Sequence, residues 1–237
     1  MAISKVQDVV FATDNDADVT AVFVNTPAEG NLLIAWARVE SADGGGSISG
    51  WTKAIEVPFA ATSKYASIFY KIAGASETKN VTLVQAGAAA VHLAIEEWTE
   101  VTALDKTATN PNGASATSLS TGTTATTIVA AELCIAIMGL NNTVTSPSWS
   151  NSFNTEFSKP AGAILLLGGS KIISSTGTQE TTASWTTSRT CGGAIATFMI
   201  PVSGPAKIKS VNSILIASVK SFNGVVSGST KSVNGIT

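Results

Sequence analysis

The stretch Val91–Trp98 constrains the fold more than any other part of the sequence. Its residues alternate with a period of two, which places its aliphatic side chains on one side of a strand. Two further runs, Leu32–Ala37 and Leu133–Met138, are apolar on both sides. Strands that are apolar on both faces are typical of the middle of a packed sheet. These three segments therefore predict a β protein with a thick apolar core.

The rest of the chain consists of shorter alternating segments separated by turns of Gly, Ser, Thr and Asn. No segment shows sustained helical periodicity with capping residues. We therefore predict an all-β fold, a jelly-roll-like antiparallel β-sandwich with a short C-terminal β-repeat tail. Within it, Thr107–Gly113 is predicted to be a loop because it contains the turn formers Asn110–Gly113. The polar and aromatic segment Asn141–Lys159 predicts a long loop folded against the sandwich.

The composition changes at Pro201–Pro205, which we take as the boundary between a sandwich domain, 1–203, and a C-terminal segment, 204–237. This segment repeats a Lys-Ser-x-Asn unit at a constant step (220 − 209 = 11 and 231 − 220 = 11). The repeated positions are Lys209, Asn212, Lys220, Asn223, Lys231 and Asn234. Each unit is too small to bury its own apolar face. We expect the repeat to oligomerise or dock; the alternative is a flexible tail with accidental self-similarity.

Charge argues against a nucleic-acid partner. Charged residues make up only 13% of the chain, the net charge is -2 and the pI is near 5.4, so no basic field would steer the protein toward nucleic acid. Hydrophobic residues make up 44%. So little charge does little to keep copies of the chain apart.

The longest apolar runs fall short of the ~20 residues that span a bilayer, so no membrane insertion is predicted. The N-terminus lacks a signal-peptide pattern, which predicts synthesis in a cytoplasm without classical export. Both cysteines, Cys134 and Cys191, lie in predicted strands, where reduced and buried thiols are expected. A disulfide between neighbouring strands is the alternative. Two thiols alone cannot form a zinc site.

The candidates for chemistry are weak. Asp14–Asp18 resembles the start of a calcium loop, but Val19 and Asn25 stand where that loop needs Gly and Glu, so we predict a solvated acidic turn and no metal. His92, the single histidine, lies in mid-strand, and the chain has no Gly-x-Ser-x-Gly turn for a nucleophile. No catalytic residue and no cofactor are predicted.

The glutamates near the end of Val91–Trp98 are candidates for a carboxylate pair. Glu96 and Glu97 are adjacent on a strand, so they point to opposite faces and cannot act together. Glu96 could instead approach Glu100 or Asp105 at a strand end, as the carboxylates of glycosidases do. The ordinary alternative is a strand-end charge cluster.

The five tryptophans raise the possibility of sugar stacking. Trp36 and Trp98 lie in predicted core strands and are expected to be structural. Trp51, Trp149 and Trp185 lie nearer to loops and are the candidate contacts for a glycan.

Several segments, taken in order, resemble a β-sandwich domain common in structural proteins of tailed bacteriophages and prophages. They are Glu29–Leu33, Ile68–Ala73, Ala94–Val101, Leu104–Asp105, Ser120–Thr124, Ser175–Gln179 and Ala194–Phe198. The Lys-Ser-x-Asn-Gly units are similar to repeats at the ends of phage tail-associated proteins. The resemblance implies a virion structural protein with no enzyme activity and no catalytic residues.

The expected function is therefore structural, in the tail, tail tip or fibre of a phage particle. The expected partners are further copies of the chain, with a trimer favoured, and other virion proteins; the expected location is the virion. A first alternative is a head decoration protein. A second alternative, from another class, is a carbohydrate-binding module for host-surface glycans.

Overall fold

The computed structural model describes residues 2–15, 18–41, 44–59, 64–86, 90–161 and 164–201, and the strand residues 210–211, 214–215, 220–222 and 225–232. These residues form strands, turns and loops. In this described part, no helix is long and apolar enough to cross a bilayer. The chain divides into two compact units, Met1–Pro201 and Val202–Thr237. The predicted boundary at residues 203 and 204 lies outside the described residues.

The first eight strands wind as a jelly roll. They are β1 Ser4–Asp14, β2 Val19–Val22, β3 Leu32–Glu40, β4 Ser47–Ile48, β5 Thr52–Pro58, β6 Lys64–Ile72, β7 Asn80–Val84 and β8 Val91–Thr99. Sheet I has the order β1-β8-β3-β6-β5, and sheet II has the order β2-β7-β4. From β1 to β4 and from β6 to β8, successive strands alternate between the two antiparallel sheets, which is the winding of a jelly roll.

The next six strands form sheet III, in the order β9-β14-β10-β13-β12 with β11 on β14. They are β9 Ala103–Ser120, β10 Glu132–Leu140, β11 Ser148–Trp149, β12 Asn154–Ala161, β13 Ile164–Ile173 and β14 Thr182–Met199. Strands β9 and β14 have 18 residues each, and a register shift between Ser184 and Arg189 divides their pairing into two parts. Strand β11 pairs only with the shorter part of β14.

Sheet III repeats the connectivity of the first jelly roll. Its order β9-β14-β10-β13-β12 corresponds strand for strand to β1-β8-β3-β6-β5. The short parts of β9 and β14, together with β11, correspond to β2, β7 and β4. The spacing is nearly constant; for example, β13 starts 164 − 64 = 100 residues after β6. The chain therefore contains the same jelly roll twice.

The strand registers agree with this duplication. Ala35 lies opposite Ile95 between β3 and β8, and Ala136 lies opposite Ile195 between β10 and β14. A register shift interrupts β5 between Lys53 and Ile55, and an equivalent shift interrupts β12 between Thr155 and Phe157. Corresponding positions in the two copies can therefore be assigned residue by residue.

The two copies share one core between sheets I and III. Leu32, Ile34 and Trp36 of β3 pack in the same cluster as Ile135 and Ile137 of β10. The opposite face of sheet I packs on sheet II, which explains why β3 is buried on both sides. The predicted all-β antiparallel sandwich is confirmed, with a second copy of the jelly roll that the sequence did not reveal.

Two local predictions were wrong. Asn110–Gly113 is not a loop but lies within β9, with Pro111 opposite Gly192. Strand β9 pairs on one side only, and an edge strand accommodates a proline because the missing N–H can face away from the ladder. Asn141–Lys159 is not one long loop, since it contains β11 and most of β12.

The described residues of the C-terminal unit form two separate antiparallel pairs. Strands β15 Ser210–Val211 and β16 Ile214–Leu215 form one pair, and β17 Lys220–Phe222 and β18 Val225–Ser232 form the other. In the second pair, Phe222 lies opposite Val225. Lys220 and Lys231 of the predicted repeat lie in these strands, whereas Lys209, Asn212, Asn223 and Asn234 lie outside the described residues.

Candidate functional site

A cleft of about 400 Å³ opens where β1 of the first copy meets β12 of the second. It is lined by Lys5, Trp98, Ser152, Asn154, Glu156, Ser170, Lys171 and Ile172. Strand pairing sets two of these positions, since Lys5 lies opposite Trp98 and Asn154 lies opposite Ser170. Glu156 lies within the register shift of β12. The cleft thus depends on both copies of the jelly roll.

Lys5 connects two carboxylates at the inner end of this cleft. Its ammonium group donates a hydrogen bond to Glu156, and its Nζ lies 3.5 Å from Oε2 of Glu96. The hydroxyl of Ser170 donates to Oε1 of Glu156. The indole N–H of Trp98 donates to Oε1 of Glu96, and Lys5 Nζ lies 5.6 Å from the centroid of the Trp98 ring. These five residues are called the Lys5 cluster below.

Burial changes the protonation of the Lys5 cluster. The Glu96 side chain is fully buried, and burial, together with the charge of Glu156, raises its pKa to about 8. Lys5 and the Trp98 hydrogen bond oppose this shift only in part. Burial alone lowers the pKa of Lys5, but the hydrogen bond to Glu156 and the charges of nearby carboxylates outweigh it, so its pKa is raised. At neutral pH the cluster holds an ion pair, Lys5 with Glu156, beside a protonated Glu96.

The duplication supplies an internal comparison for this cluster. The other junction lies where β5 meets β9. There, Leu104 lies opposite Phe198, as Lys5 lies opposite Trp98, so Leu104 is the counterpart of Lys5 and Phe198 is the counterpart of Trp98. Ala196 stands for Glu96 by its distance from Phe198. Ala54, in the register shift of β5, stands for Glu156.

The counterpart of Ser170 is Tyr70, because Tyr70 lies opposite Thr52 just as Ser170 lies opposite Asn154. The rings of Tyr70 and Phe198 meet edge to face with centroids 5.3 Å apart. Leu104, Ala54 and Tyr70 all pack on the shared core. The same junction is therefore filled by apolar packing in one place and by a largely buried polar cluster beside a cleft in the other. Polar side chains are thus not a common feature of the two equivalent junctions.

A second buried polar group lies on the same face of sheet I. Arg38 lies opposite His92, and both side chains are fully buried. Arg38 Nη2 donates to Glu40 at 2.6 Å, but both ring nitrogens of His92 lack a hydrogen-bond partner. Burial, followed by the charge of Arg38, lowers the pKa of His92 to about 3. His92 is therefore neutral at ordinary pH, packed edge to face on Phe11.

The carboxylates do not pair as the sequence suggested. The carboxylate whose charge acts on Glu96 is Glu156, whereas Asp105 accepts hydrogen bonds from Lys106 and from the backbone of Ile128. Glu97 accepts bonds from Gln7 and from the Ala28 backbone. Glu97 thus anchors the segment before β3, whereas Glu96 contacts Trp98 and Lys5, which line the cleft.

The tryptophans differ in exposure. Trp36 and Trp98 are buried, as expected, although Trp98 also lines the cleft. Of the candidate glycan contacts, Trp185 is 5% exposed and its indole donates to Ala116 at 3.0 Å. Trp149 is half-buried and donates to Gly168 at 3.3 Å. Trp51 is half-buried against the core between sheets I and II. Trp185 therefore presents no open ring face, and glycan contact at Trp51 and Trp149 stays a prediction.

The cysteines are free and buried, as expected. Burial raises the pKa of Cys134 to about 12 and that of Cys191 to about 11, which makes both thiols poor nucleophiles. In the acidic turn, Asp18 accepts a hydrogen bond from the backbone of Gln85 at 3.1 Å. The middle of that turn, Asp16 and Ala17, lies outside the described residues.

Sequence reasoning missed most of the cleft. Lys5 and Glu156 are far apart in the chain, and only the packing of sheet I on sheet III brings them together. A signal appears only when the two junctions are compared: Lys5, Glu96 and Glu156 of one junction stand where the β5–β9 junction has leucine and alanine. That signal becomes visible only once the strands are aligned by register.

Comparison with known proteins gives no family for this chain: no protein-family model, no curated protein and no solved structure matches it. Among the described residues, no three His, Cys, Asp or Glu side chains are grouped so that they could hold a metal ion.

Proposed function

We propose that the protein is a non-enzymatic structural protein of a tailed-phage particle, in the tail, tail tip or fibre, where it assembles through its C-terminal unit. Jelly rolls are common in viral capsid proteins and in lectin domains. This support is an analogy at the level of the fold. The sequence resemblance to phage structural proteins points the same way.

The observation that supports assembly most directly is the form of the C-terminal unit. It contains two antiparallel pairs of short strands, β15 with β16 and β17 with β18. An isolated two-stranded hairpin is only marginally stable in water. Strands of this kind gain stability when they stack on copies from other chains, with a trimer as the favoured assembly. A head decoration protein, anchored by the same unit, is the second form of this proposal.

Light scattering tests this proposal. The solution mass of the full chain is compared with that of a chain that ends at Ser203, which keeps the compact unit Met1–Pro201. We expect a closed oligomer for the full chain and a folded monomer for the shortened one. Two monomers, or the same oligomer for both chains, would contradict assembly through the C-terminal unit.

A further inference from the structure

The Lys5 cluster lies beside a cleft and is polar where the equivalent junction is apolar. The equivalent junction is filled by Leu104, Tyr70 and Phe198. The same packing of strands therefore accepts apolar residues at the positions that are polar here. Buried ion pairs are often replaceable by apolar residues without loss of stability. A largely buried polar cluster beside an open cleft, at a position that apolar residues fill in the equivalent junction, points to ligand recognition.

The two junctions have equivalent lysines that differ in their ion pairing. Lys171 lines the cleft and lies opposite Cys134 of β10. Its counterpart in the first copy is Lys71, which lies opposite Leu33, the residue of β3 that is equivalent to Cys134. Lys71 donates to Glu77 at 2.9 Å, whereas Lys171 has no ion pair among the described residues. The Lys171 ammonium lies 5.8 Å from the centroid of the Phe153 ring, and Glu156, the carboxylate that lines the cleft, is paired with Lys5. The cleft therefore favours an anion.

The remaining walls suit a sugar rather than a bare anion. Ser152 and Asn154 are exposed and offer a hydroxyl and an amide. Ile172 is 49% exposed and, with Trp98, supplies apolar surface for ring C–H groups. The volume of about 400 Å³ is at the small end of ligand pockets, enough for a single sugar ring.

We propose that this cleft binds a carboxylated sugar unit of the uronate type. Its carboxylate pairs with Lys171, and its hydroxyl groups bond to Asn154 and Ser152. The ion pair of Lys5 with Glu156 holds the inner wall in place. This site lies wholly within Met1–Pro201 and does not depend on oligomerisation, so it goes beyond the structural function and stands or falls separately from it.

Titration calorimetry of the full chain with sodium glucuronate tests the site, with glucose and sodium acetate as matched probes. We expect glucuronate to bind with a Kd of about 1 mM, a usual value for a ligand of this size. Glucose lacks the charge and acetate lacks the hydroxyl groups, so each should bind at least about tenfold more weakly. Equal binding of acetate would reduce the site to a simple anion site and overturn the proposal.

Two variants and one control sharpen the test. Lys171→Met should weaken glucuronate binding at least about tenfold, because it removes a charge-assisted hydrogen bond. Asn154→Ala should weaken the binding of glucuronate but not that of acetate. Lys71→Met changes the matching lysine at the other junction and should leave the affinity unchanged. No glucuronate binding by the folded wild-type chain, or equal effects of the two lysine substitutions, would overturn the proposal.

Discussion

His92 and Glu96 lie on the same face of β8, yet both are held uncharged at neutral pH for the same reason. Full burial disfavours the charged form of each side chain, which lowers the pKa of His92 to about 3 and raises that of Glu96 to about 8. The two residues therefore make the stability of the protein depend on pH in opposite directions.

His92 should limit stability in acid. Its pKa falls from an ordinary 6.5 to about 3, so the folded state binds fewer protons than the unfolded state between these values. Stability is then full above pH 6.5 and is lost as the pH falls toward 3. His92→Leu has no such loss. As the pH falls from 6.5 toward 3, the free energy of unfolding of His92→Leu minus that of the wild type should therefore grow by up to about 1.4 kcal/mol per pH unit.

Urea unfolding of the wild type and His92→Leu at pH 7, 5 and 4 measures this difference. Other groups titrate in the same range, but they are common to both proteins and cancel. A difference that stays constant with pH would contradict a buried, neutral His92.

Glu96 should limit stability in alkali. Its pKa is raised from 4.5 to about 8, so its contribution is fully present below pH 4.5 and is lost as the pH rises through 8. Glu96→Gln keeps an acceptor for the Trp98 indole but cannot ionise. The thermal midpoint of the wild type should therefore drop between pH 6 and pH 9 by more than that of the variant. Equal drops would show that Glu96 is already ionised at pH 6.

At the scale of the strands, glycine marks where the two copies differ. Gly139 and Gly192 of sheet III correspond to Arg38 and His92 of sheet I, and both lie against Phe59. A Cβ on Gly139 would lie 2.6 Å from Cε1 of Phe59. The Phe59 side chain thus fills the space beside these two glycines, and the Arg38 guanidinium lies 5.5 Å from the centroid of the same ring.

Gly139→Ala should therefore destabilise the fold by roughly 1–3 kcal/mol, the usual effect of overpacking a filled core. Gly74→Ala is the control, because nothing lies within 4 Å of its added Cβ, and it should change the free energy of unfolding by less than about 0.5 kcal/mol. Urea unfolding of both variants gives the comparison. A neutral Gly139→Ala would show that Phe59 can move aside.

Some strands could be predicted from the sequence and others could not. Alternation and apolar runs predicted β3, β8 and β10, because strands buried on both faces consist of consecutive residues that are mostly apolar. The duplication left only brief matches, such as Ala94-Ile95 with Ala194-Ile195, which are too short to detect without register. The prediction of a loop at Asn110–Gly113 was wrong because these turn-forming residues lie on an edge strand, which needs hydrogen-bonded pairing on one side only.

For the whole molecule, the duplication explains why the site could not be foreseen. The individual residues of the Lys5 cluster look ordinary in the sequence, and their meeting depends on how sheet I packs on sheet III. Two copies of one jelly roll that share a core create two equivalent junctions, one apolar and one polar. Because the apolar junction forms without buried polar groups, we expect the polar junction to tolerate apolar residues as well.

The most direct test of this account transfers the apolar junction onto the polar one. The variant Lys5→Leu, Glu96→Ala, Glu156→Ala and Ser170→Tyr places the residues of the β5–β9 junction in the cleft. Its free energy of unfolding, measured in urea, should be no more than about 1 kcal/mol below that of the wild type and could be higher. The reason is that a buried ion pair contributes little net stability. A loss of more than about 3 kcal/mol, as when a necessary buried pair is broken, would contradict the account and make the Lys5 cluster part of the fold.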